Sequence, residues 1–276
     1  MKKRRITAAA IAVLAAFPAV LASAADIKTY EPSLYFKASD TEDVTCLVSG
    51  NLFVNVKDIP EGKKIKTDIF YLDEMKATNQ LYIKWQCDSK DVRINNLIDP
   101  VTSAGACPFS KWKTADSIPL ICKEESNYMA VSYSTISSSP LELTGESSDS
   151  YPAATFDIEL PADVPVGRYE VKFLTGEGSN ICSASYSEPL RDIRPSGDNA
   201  KSLFIGVSDR ALGDVNGSGK LEASDASKLL VAYTFLSANE PSDLTLAEEI
   251  AGDLNGDGKI TAADATAVLV KYADGQ

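Results

Sequence analysis

The sequence predicts two folded parts, a mostly β sandwich followed by a small all-α domain. Between residues 26 and 208, short apolar or alternating runs are separated by Gly, Pro, Asn, Asp and Ser, a pattern typical of strands and turns. From residue 212 onward the pattern changes to two similar segments, each an oxygen-rich loop followed by a helical stretch. The 276 residues suffice for one large or two ordinary domains.

Residues 1–24 have the pattern of a signal peptide. A basic start precedes an apolar stretch at 6–21 and a small-residue exit. The apolar stretch is short and interrupted by Pro18, which argues against a span of about 30 Å of hydrocarbon. We therefore expect cleavage after Ala24 or Ala25 and export of the remainder.

The sandwich is predicted from strands only, because residues 26–208 contain no long stretch with the helical period. The predicted strands are 52–56, 65–72, 81–85, 130–133, 154–160, 168–174 and 203–207. Trp85 alternates with Leu81 and Ile83 and is expected in the core. Trp112 follows an irregular stretch and is either a plug over the core or a platform for a sugar.

An enzymatic role for the sandwich would need two carboxylates across a cleft. Glu159 and Glu170 lie on consecutive predicted strands, which we expect to be neighbours in one sheet. Each alternates with apolar residues, as on the solvated face of a strand. Because the chain also contains no His, we predict that the sandwich is not catalytic.

The net charge of the chain limits the classes of partner that it can bind. Lys and Arg number 27 against 39 Asp and Glu, a net charge of -12 that becomes more negative when the basic leader is removed. Nucleic acids and anionic membranes are bound mainly through Lys and Arg. We therefore expect neither as a partner.

Five cysteines lie between the leader and the helical part, and their spacing matches no metal-binding pattern. They are Cys46, Cys87, Cys107, Cys122 and Cys182. The odd count leaves at least one thiol unpaired. Two interpretations stay open, namely buried small hydrophobic residues or one to two disulfides.

The C-terminal part repeats itself with an offset of 39 residues. Residues 214–234 align with residues 253–273, and 11 of the 21 positions are identical. Each copy has oxygen-bearing side chains at loop positions 1, 3, 5 and 12 and Gly at position 6, where a sharp turn is needed. Such alternation brings oxygens together around calcium, with the carbonyl of position 7 as a further ligand.

The loops therefore predict two calcium ions. The expected ligands are Asp214, Asn216, Ser218, the Lys220 carbonyl and Asp225 in the first loop, and Asp253, Asn255, Asp257, the Lys259 carbonyl and Asp264 in the second. Ser218 occupies the position that Asp257 has in the second loop, so the first site carries one charge fewer. We expect it to be the weaker site.

Both loops end in Asp where an ordinary EF-hand has Glu, and residues 203–207 before the first loop predict a strand instead of a helix. A loop followed by a helix occurs twice, and this arrangement resembles a type I dockerin over about residues 212–274. Between the loops, Ser242 is a plausible cap for a connecting helix. The resemblance assigns residues 212–276 to a dockerin-like domain. It implies a secreted cellulosome component, held in a cell-surface complex by the cohesin domain of a scaffoldin.

The helical stretches predict where that partner binds. At about 100° per residue, one stripe of each helix should form the small core. These stripes contain Ala226, Leu229, Leu230 and Tyr233, and Ala265, Val268, Leu269 and Tyr272. Val231, Val270 and Phe235 fall off the stripes. The dockerins that this chain resembles contact cohesins near there and at loop positions 10 and 11. The expected contacts are Ala223, Ser224, Val231, Phe235, Ala262, Ala263 and Val270.

The strand–turn–strand segment 156–171, with the closing strand 205–207, resembles the later half of cohesins, the jelly-roll receptors of dockerins. This resemblance implies a jelly-roll-like sandwich that binds a dockerin, so that the protein would be an adaptor. Similar turns occur in carbohydrate-binding modules. The alternative is therefore a module that directs the complex to plant polysaccharide.

Overall fold

The computed structural model describes most of the chain from residue 33 onward, with gaps. The described residues are 33–39, 41, 43–72, 77–78, 80–98, 117–118, 127–135, 141–142, 152–174, 181–183, 191–193 and 199–275. The leader, Cys107, Cys122 and Trp112 lie outside these residues, as does the side chain of Cys182. The interpretations given for them stay predictions.

The first part is built from strands, and each strand expected from the sequence is present with bounds within two residues. The strands are β1 Ser33–Ala38, β2 Val44–Cys46, β3 Leu52–Asn55, β4 Lys63–Leu72, β5 Ala77–Thr78, β6 Gln80–Cys87, β7 Arg93–Ile98, β8 Ser117–Ile118, β9 Tyr128–Thr135, β10 Leu141–Glu142, β11 Ala154–Leu160, β12 Gly167–Phe173, β13 Ile181–Ser183, β14 Arg191–Ile193 and β15 Leu203–Ser208. A 3₁₀ turn covers Val56–Asp58. The other eight strands, β1, β2, β5, β7, β8, β10, β13 and β14, were not expected.

The strands form two main sheets with one core between them. One sheet has the order β1-β4-β11-β7, and the other has the order β2-β3-β15-β12-β6-β9-β8. Strand β15 runs parallel to β3. Aromatic rings of the two sheets meet in the core, with Trp85 5.4 Å from Phe156 and Phe36 stacked 4.0 Å from Phe173. Trp85 is fully buried, so its expected place in the core is confirmed.

The expectation that Glu159 and Glu170 lie on neighbouring strands is wrong. Strand β11, which carries Glu159, belongs to the four-stranded sheet, whereas β12, which carries Glu170, belongs to the seven-stranded sheet. The turn between them carries the chain from one sheet to the other, and the hydroxyl of Tyr169 donates to the carbonyl of Pro165 at 2.7 Å to close it. Glu159 instead lies opposite Lys64 and Arg93, among charged side chains of its own sheet.

Cys87 behaves as a small hydrophobic residue. Its side chain is buried in the core of the sandwich, and burial raises the pKa of its thiol. Cys46, at the margin of the same core, donates its thiol hydrogen to the carbonyl of Ala38 at 3.7 Å.

The second part contains three helices, α1 Ala223–Ser237, α2 Leu246–Gly252 and α3 Ala262–Asp274. Helices α1 and α3 pack together on a small core. Its buried members are Val215, Ala226, Leu229, Ala232, Leu254, Ile260, Ala265 and Val268. None of the helices in the described part of the chain is both long and apolar enough to cross a membrane.

The apolar stripes predicted for α1 and α3 were wider than the stripes that are buried in the structure. Leu230, Tyr233 and Leu269 were expected in the core but are 36 to 42 % exposed, and Ala232 is fully buried instead. Small side chains such as Ala226 and Ala232 at the contact let the two helices approach closely, which leaves the larger side chains of the flanks in solvent. The fold class itself, a β sandwich with a small all-α domain, is confirmed.

Helix α2 begins at a different cap from the one expected. Its N-cap is Thr245 instead of Ser242, because the Thr245 hydroxyl accepts from the backbone N–H of Glu248 and the Glu248 carboxylate accepts from that of Thr245. The Glu248 carboxylate also pairs with Arg210 at 2.9 Å and with Lys228 on α1 at 3.0 Å. Glu248 therefore ties α2 to α1 and to the segment after β15.

We expect Glu248→Gln to destabilise the second domain by about 2 kcal/mol at neutral pH, since it leaves two cations without their carboxylate. Burial raises the pKa of this carboxyl, but the bonds and charges of Lys228, Thr245 and Arg210 outweigh burial and hold it below its usual value. A lowered pKa contributes stability above the pKa of the unfolded chain, and this stability is lost as pH falls through the folded value. The difference between variant and wild type in urea unfolding should thus shrink below about pH 4. A difference that grows on acidification would contradict this role.

Candidate metal centre and docking face

The first loop holds its two end carboxylates inside the turn. Asp214, at position 1, accepts hydrogen bonds from the backbone N–H groups of Ser218 and Gly219, both at 2.9 Å. Asp225, at position 12, accepts from those of Asn216 at 2.9 Å and Glu222 at 2.8 Å. Both carboxylates are buried, and Asp225 is also the third residue of helix α1, where it caps the helix by accepting from the Glu222 N–H. The loop is therefore ordered around its first and last acidic residues.

The second loop repeats this arrangement. Asp253 accepts from the backbone N–H groups of Gly256 at 2.9 Å and Gly258 at 2.8 Å. Asp264 accepts from those of Leu254 at 3.0 Å and Thr261 at 2.9 Å, and it is the third residue of α3 as Asp225 is of α1. The two copies thus share the bonds from positions 5 and 6 to the first carboxylate and from positions 3 and 9 to the last one.

Glycine at position 6 is required by the backbone. Gly219 has a φ of +80° and Gly258 a φ of +83°, which are left-handed values that side chains disfavour. Nothing lies within 4 Å of where a Cβ would stand at either residue. Conformation, and not lack of space, therefore selects glycine here, as expected from the sequence.

The donor set of each loop fits calcium chemically. It consists of oxygens alone, from carboxylate, amide, hydroxyl and main-chain carbonyl groups, which hard cations prefer. In the second loop, burial raises the pKa of Asp253, and the charges of Asp264 and Asp257 raise it further, against the Gly258 N–H and Arg168. A cation would relieve this repulsion. Within the described ranges no three acidic, Cys or His side chains gather tightly enough to hold a metal by themselves.

The predicted ligands divide by burial. The four end carboxylates of the two loops are buried, Asn255 is half-buried, and the remaining ligands are exposed. The end carboxylates are Asp214, Asp225, Asp253 and Asp264, and the exposed ligands are Asn216, Ser218, Lys220, Asp257 and Lys259. Their role as ligands stays a prediction.

The side chains expected to contact a partner are all at the surface. They are Ala223, Ser224, Val231, Phe235, Ala262, Ala263 and Val270. Val231 is 50 % exposed and Val270 55 %, at corresponding positions of α1 and α3. Leu230 and Leu269, which precede them, are exposed as well. We call the surface formed by Leu230, Val231, Leu269 and Val270 the apolar helix face.

Sequence reasoning missed a contact between the two domains. The backbone N–H of Ser49 and the side-chain amide of Asn51, both in the loop between β2 and β3, donate to the carbonyls of Asn255 at 3.1 Å and Gly256 at 2.7 Å. Nothing in the periodicity of either segment indicates that they meet.

Comparison with known families decides the nature of the second domain. Residues 212–272 match the family described as the Dockerin type I domain. This segment is a type I dockerin domain. The resemblance inferred from its loops is confirmed, and type I dockerins in general bind calcium. No curated protein matches the chain.

Several solved cohesins are similar in structure to the part before the dockerin. A type I cohesin of ScaB from Pseudobacteroides cellulosolvens is 10 % identical, with a TM-score of 0.39, over 64 % of this chain and 94 % of that one. The Coh-OlpA–Doc918 complex from Clostridium thermocellum is 12 % identical, with a TM-score of 0.37, over 63 % and 99 %. A type III cohesin of ScaE from Ruminococcus flavefaciens is 10 % identical, with a TM-score of 0.37, over 64 % and 88 %.

Proposed function

We propose that this chain is a secreted, non-catalytic cellulosome component that docks through its dockerin onto the cohesin of a scaffoldin. The dockerin at 212–272 carries this proposal, because dockerins are docking modules. The apolar helix face supports it, since four large apolar side chains in solvent suit a protein partner. Residues 1–24 direct export, 26–208 form the sandwich, and 212–276 form the docking domain.

Each dockerin loop holds one calcium ion in this proposal. Calcium neutralises the buried carboxylates at positions 1 and 12, which the loop backbone already orients. Because Asp225 and Asp264 also cap the first turns of α1 and α3, each loop fixes the start of one docking helix. The ions thereby set the relative position of Val231 and Val270.

The sandwich serves as a cohesin-like adaptor that receives a second dockerin. The resemblance of 156–171 and 205–207 to cohesins supports this assignment. Trp85 is buried and unavailable for stacking, so the glycan-binding alternative needs other aromatic side chains as sugar platforms.

A binding experiment separates these two roles of the sandwich. Full-length chain with its docking face disabled by Val231→Asp and Val270→Asp is offered dockerin-bearing proteins and, separately, insoluble plant polysaccharides. We expect retention of a dockerin-bearing protein that does not depend on the disabled face. Retention on polysaccharide alone would replace the adaptor by the carbohydrate-binding module.

We also expect no hydrolysis of polysaccharide by this chain. Glu159 and Glu170 lie in different sheets, and the Glu159 side chain accepts a hydrogen bond from Asn95. Reducing-sugar release from several plant polysaccharides should equal the blank. Release by wild type that Glu159→Gln abolishes would show that the sandwich is an enzyme.

A further inference from the structure

The second calcium loop lies against the sandwich, whereas the first does not. Three of its carbonyls accept hydrogen bonds from the sandwich, those of Asn255 and Gly256 as described and that of Gly258 from the Arg168 guanidinium at 3.2 Å. The corresponding residues of the first loop, Asn216, Gly217 and Gly219, are all exposed. Two repeats that match in sequence are therefore unequal in surroundings.

The sandwich and the dockerin also meet through an apolar contact. Phe53 of β3 packs on Ile250 and Ala251 of α2, and all three side chains are buried. The Ser208 hydroxyl at the end of β15 donates to the Ala247 carbonyl at 3.0 Å. We call the sandwich side of this contact, formed by Ser49, Asn51, Phe53, Arg168, Gly206 and Ser208, the seat.

Close fit on both sides shows that the seat is specific. A Cβ at Gly206 would lie 2.9 Å from Cγ2 of Ile250. A Cβ at Gly256 would lie 2.5 Å from Oγ of Ser49 and 2.7 Å from Cδ1 of Leu47. Surfaces this close cannot slide past one another without losing the contact.

The seat recognises the folded state of the loop. Gly256 and Gly258 have φ of +73° and +83° in the turn of the loop, and this backbone conformation directs their carbonyls toward the sandwich. A loop that loses this turn loses its hydrogen bonds to Asn51 and Arg168. The seat and the ion thus both favour one conformation of residues 253–258.

We propose that the seat and calcium binding at the second loop are coupled, so that the sandwich raises calcium affinity there and calcium fixes the dockerin to the sandwich. This inference rests on the proposed calcium binding. Two interactions that favour the same conformation of one segment strengthen each other reciprocally. Each typically raises the equilibrium constant of the other by about five- to 150-fold. The apolar helix face is outside the seat, so the dockerin can hold a cohesin while its orientation on the sandwich is fixed.

Calorimetric titration of calcium into the full chain without its leader tests the coupling. Asn51→Ala removes the bond to Gly256, and Gly206→Val places a side chain against Ile250, at a strand position whose extended backbone suits a β-branched residue. Asp214→Ala isolates the second loop and Asp253→Ala isolates the first. In the Asp214→Ala background we expect the two seat substitutions to lower calcium affinity about tenfold. In the Asp253→Ala background affinity should stay unchanged.

Asn95→Ala is the matched control, because Asn95 lies in the other sheet and bonds to Glu159. It should change neither background. Equal losses in both backgrounds, or no loss in either, would overturn the coupling while leaving calcium binding intact. The absence of any calcium binding by wild type would overturn the proposed calcium sites and the coupling with them.

Hydrogen exchange provides a readout independent of affinity. The Ser49 amide, which bonds to Asn255, should exchange at least tenfold faster after chelation of calcium, whereas the amide of Ile158 in the middle of β11 should not change. Equal exchange of Ser49 with and without calcium would show that the seat is indifferent to the ion.

Discussion

We expect Val231→Asp together with Val270→Asp to lower the affinity for a cohesin at least a hundredfold. Each substitution alone should lower this affinity only two- to fivefold. The two valines occupy the same position of the two repeats and are similarly exposed. If the module can dock in two orientations related by its internal symmetry, one intact helix suffices. The double variant places a carboxylate at the centre of the contact in either orientation, where burial of an unpaired charge is costly.

Val48→Asp is the matched control, because Val48 is 94 % exposed and lies on the sandwich. Affinity is measured by calorimetry against a panel of cohesins, and calcium binding by the double variant should remain at two ions. Full affinity in the double variant would place the docking surface elsewhere. A complete loss in one single variant would show that only one orientation is used.

We expect chelation of calcium to unfold the dockerin and to leave the sandwich folded. The dockerin core contains few large side chains and offers little hydrophobic stabilisation. At a calcium concentration about a thousandfold above the dissociation constant, one site contributes about 4 kcal/mol, which is comparable to the stability of a small domain. Helical circular dichroism should therefore fall on addition of chelator and return with calcium, while near-ultraviolet signals of the sandwich core around Trp85 persist.

Titration should show two ions with the second loop tighter. Ser218→Asp gives the first loop the charge that Asp257 supplies in the second, and should raise its affinity about tenfold. Fewer than two ions, or helical dichroism that ignores chelator, would contradict this assignment. An unchanged first site in Ser218→Asp would show that position 5 is not a ligand there.

Local sequence determined much of this protein. Alternation of apolar residues located β11 and β15, and loop spacing predicted that the ends of each loop, Asp214 and Asp225 in the first, are turned inward. Both features depend on hydrogen bonds and periodicities that span at most about a dozen residues. The exposure of Val231 and Val270 followed from the helical period in the same way.

Only the tertiary structure decided which strands share a sheet and where the two domains meet. Glu159 and Glu170 are close in sequence, yet they lie in different sheets because the chain crosses the sandwich between them. Asn51 and Gly256 are bonded across 205 positions of sequence. Neither segment carries a local sign of the other, since long-range contacts depend on the shape of two folded surfaces and not on the pattern of one. For this reason the sequence predicts two similar loops that differ in charge at position 5, and only the structure shows that the sandwich contacts the second of them.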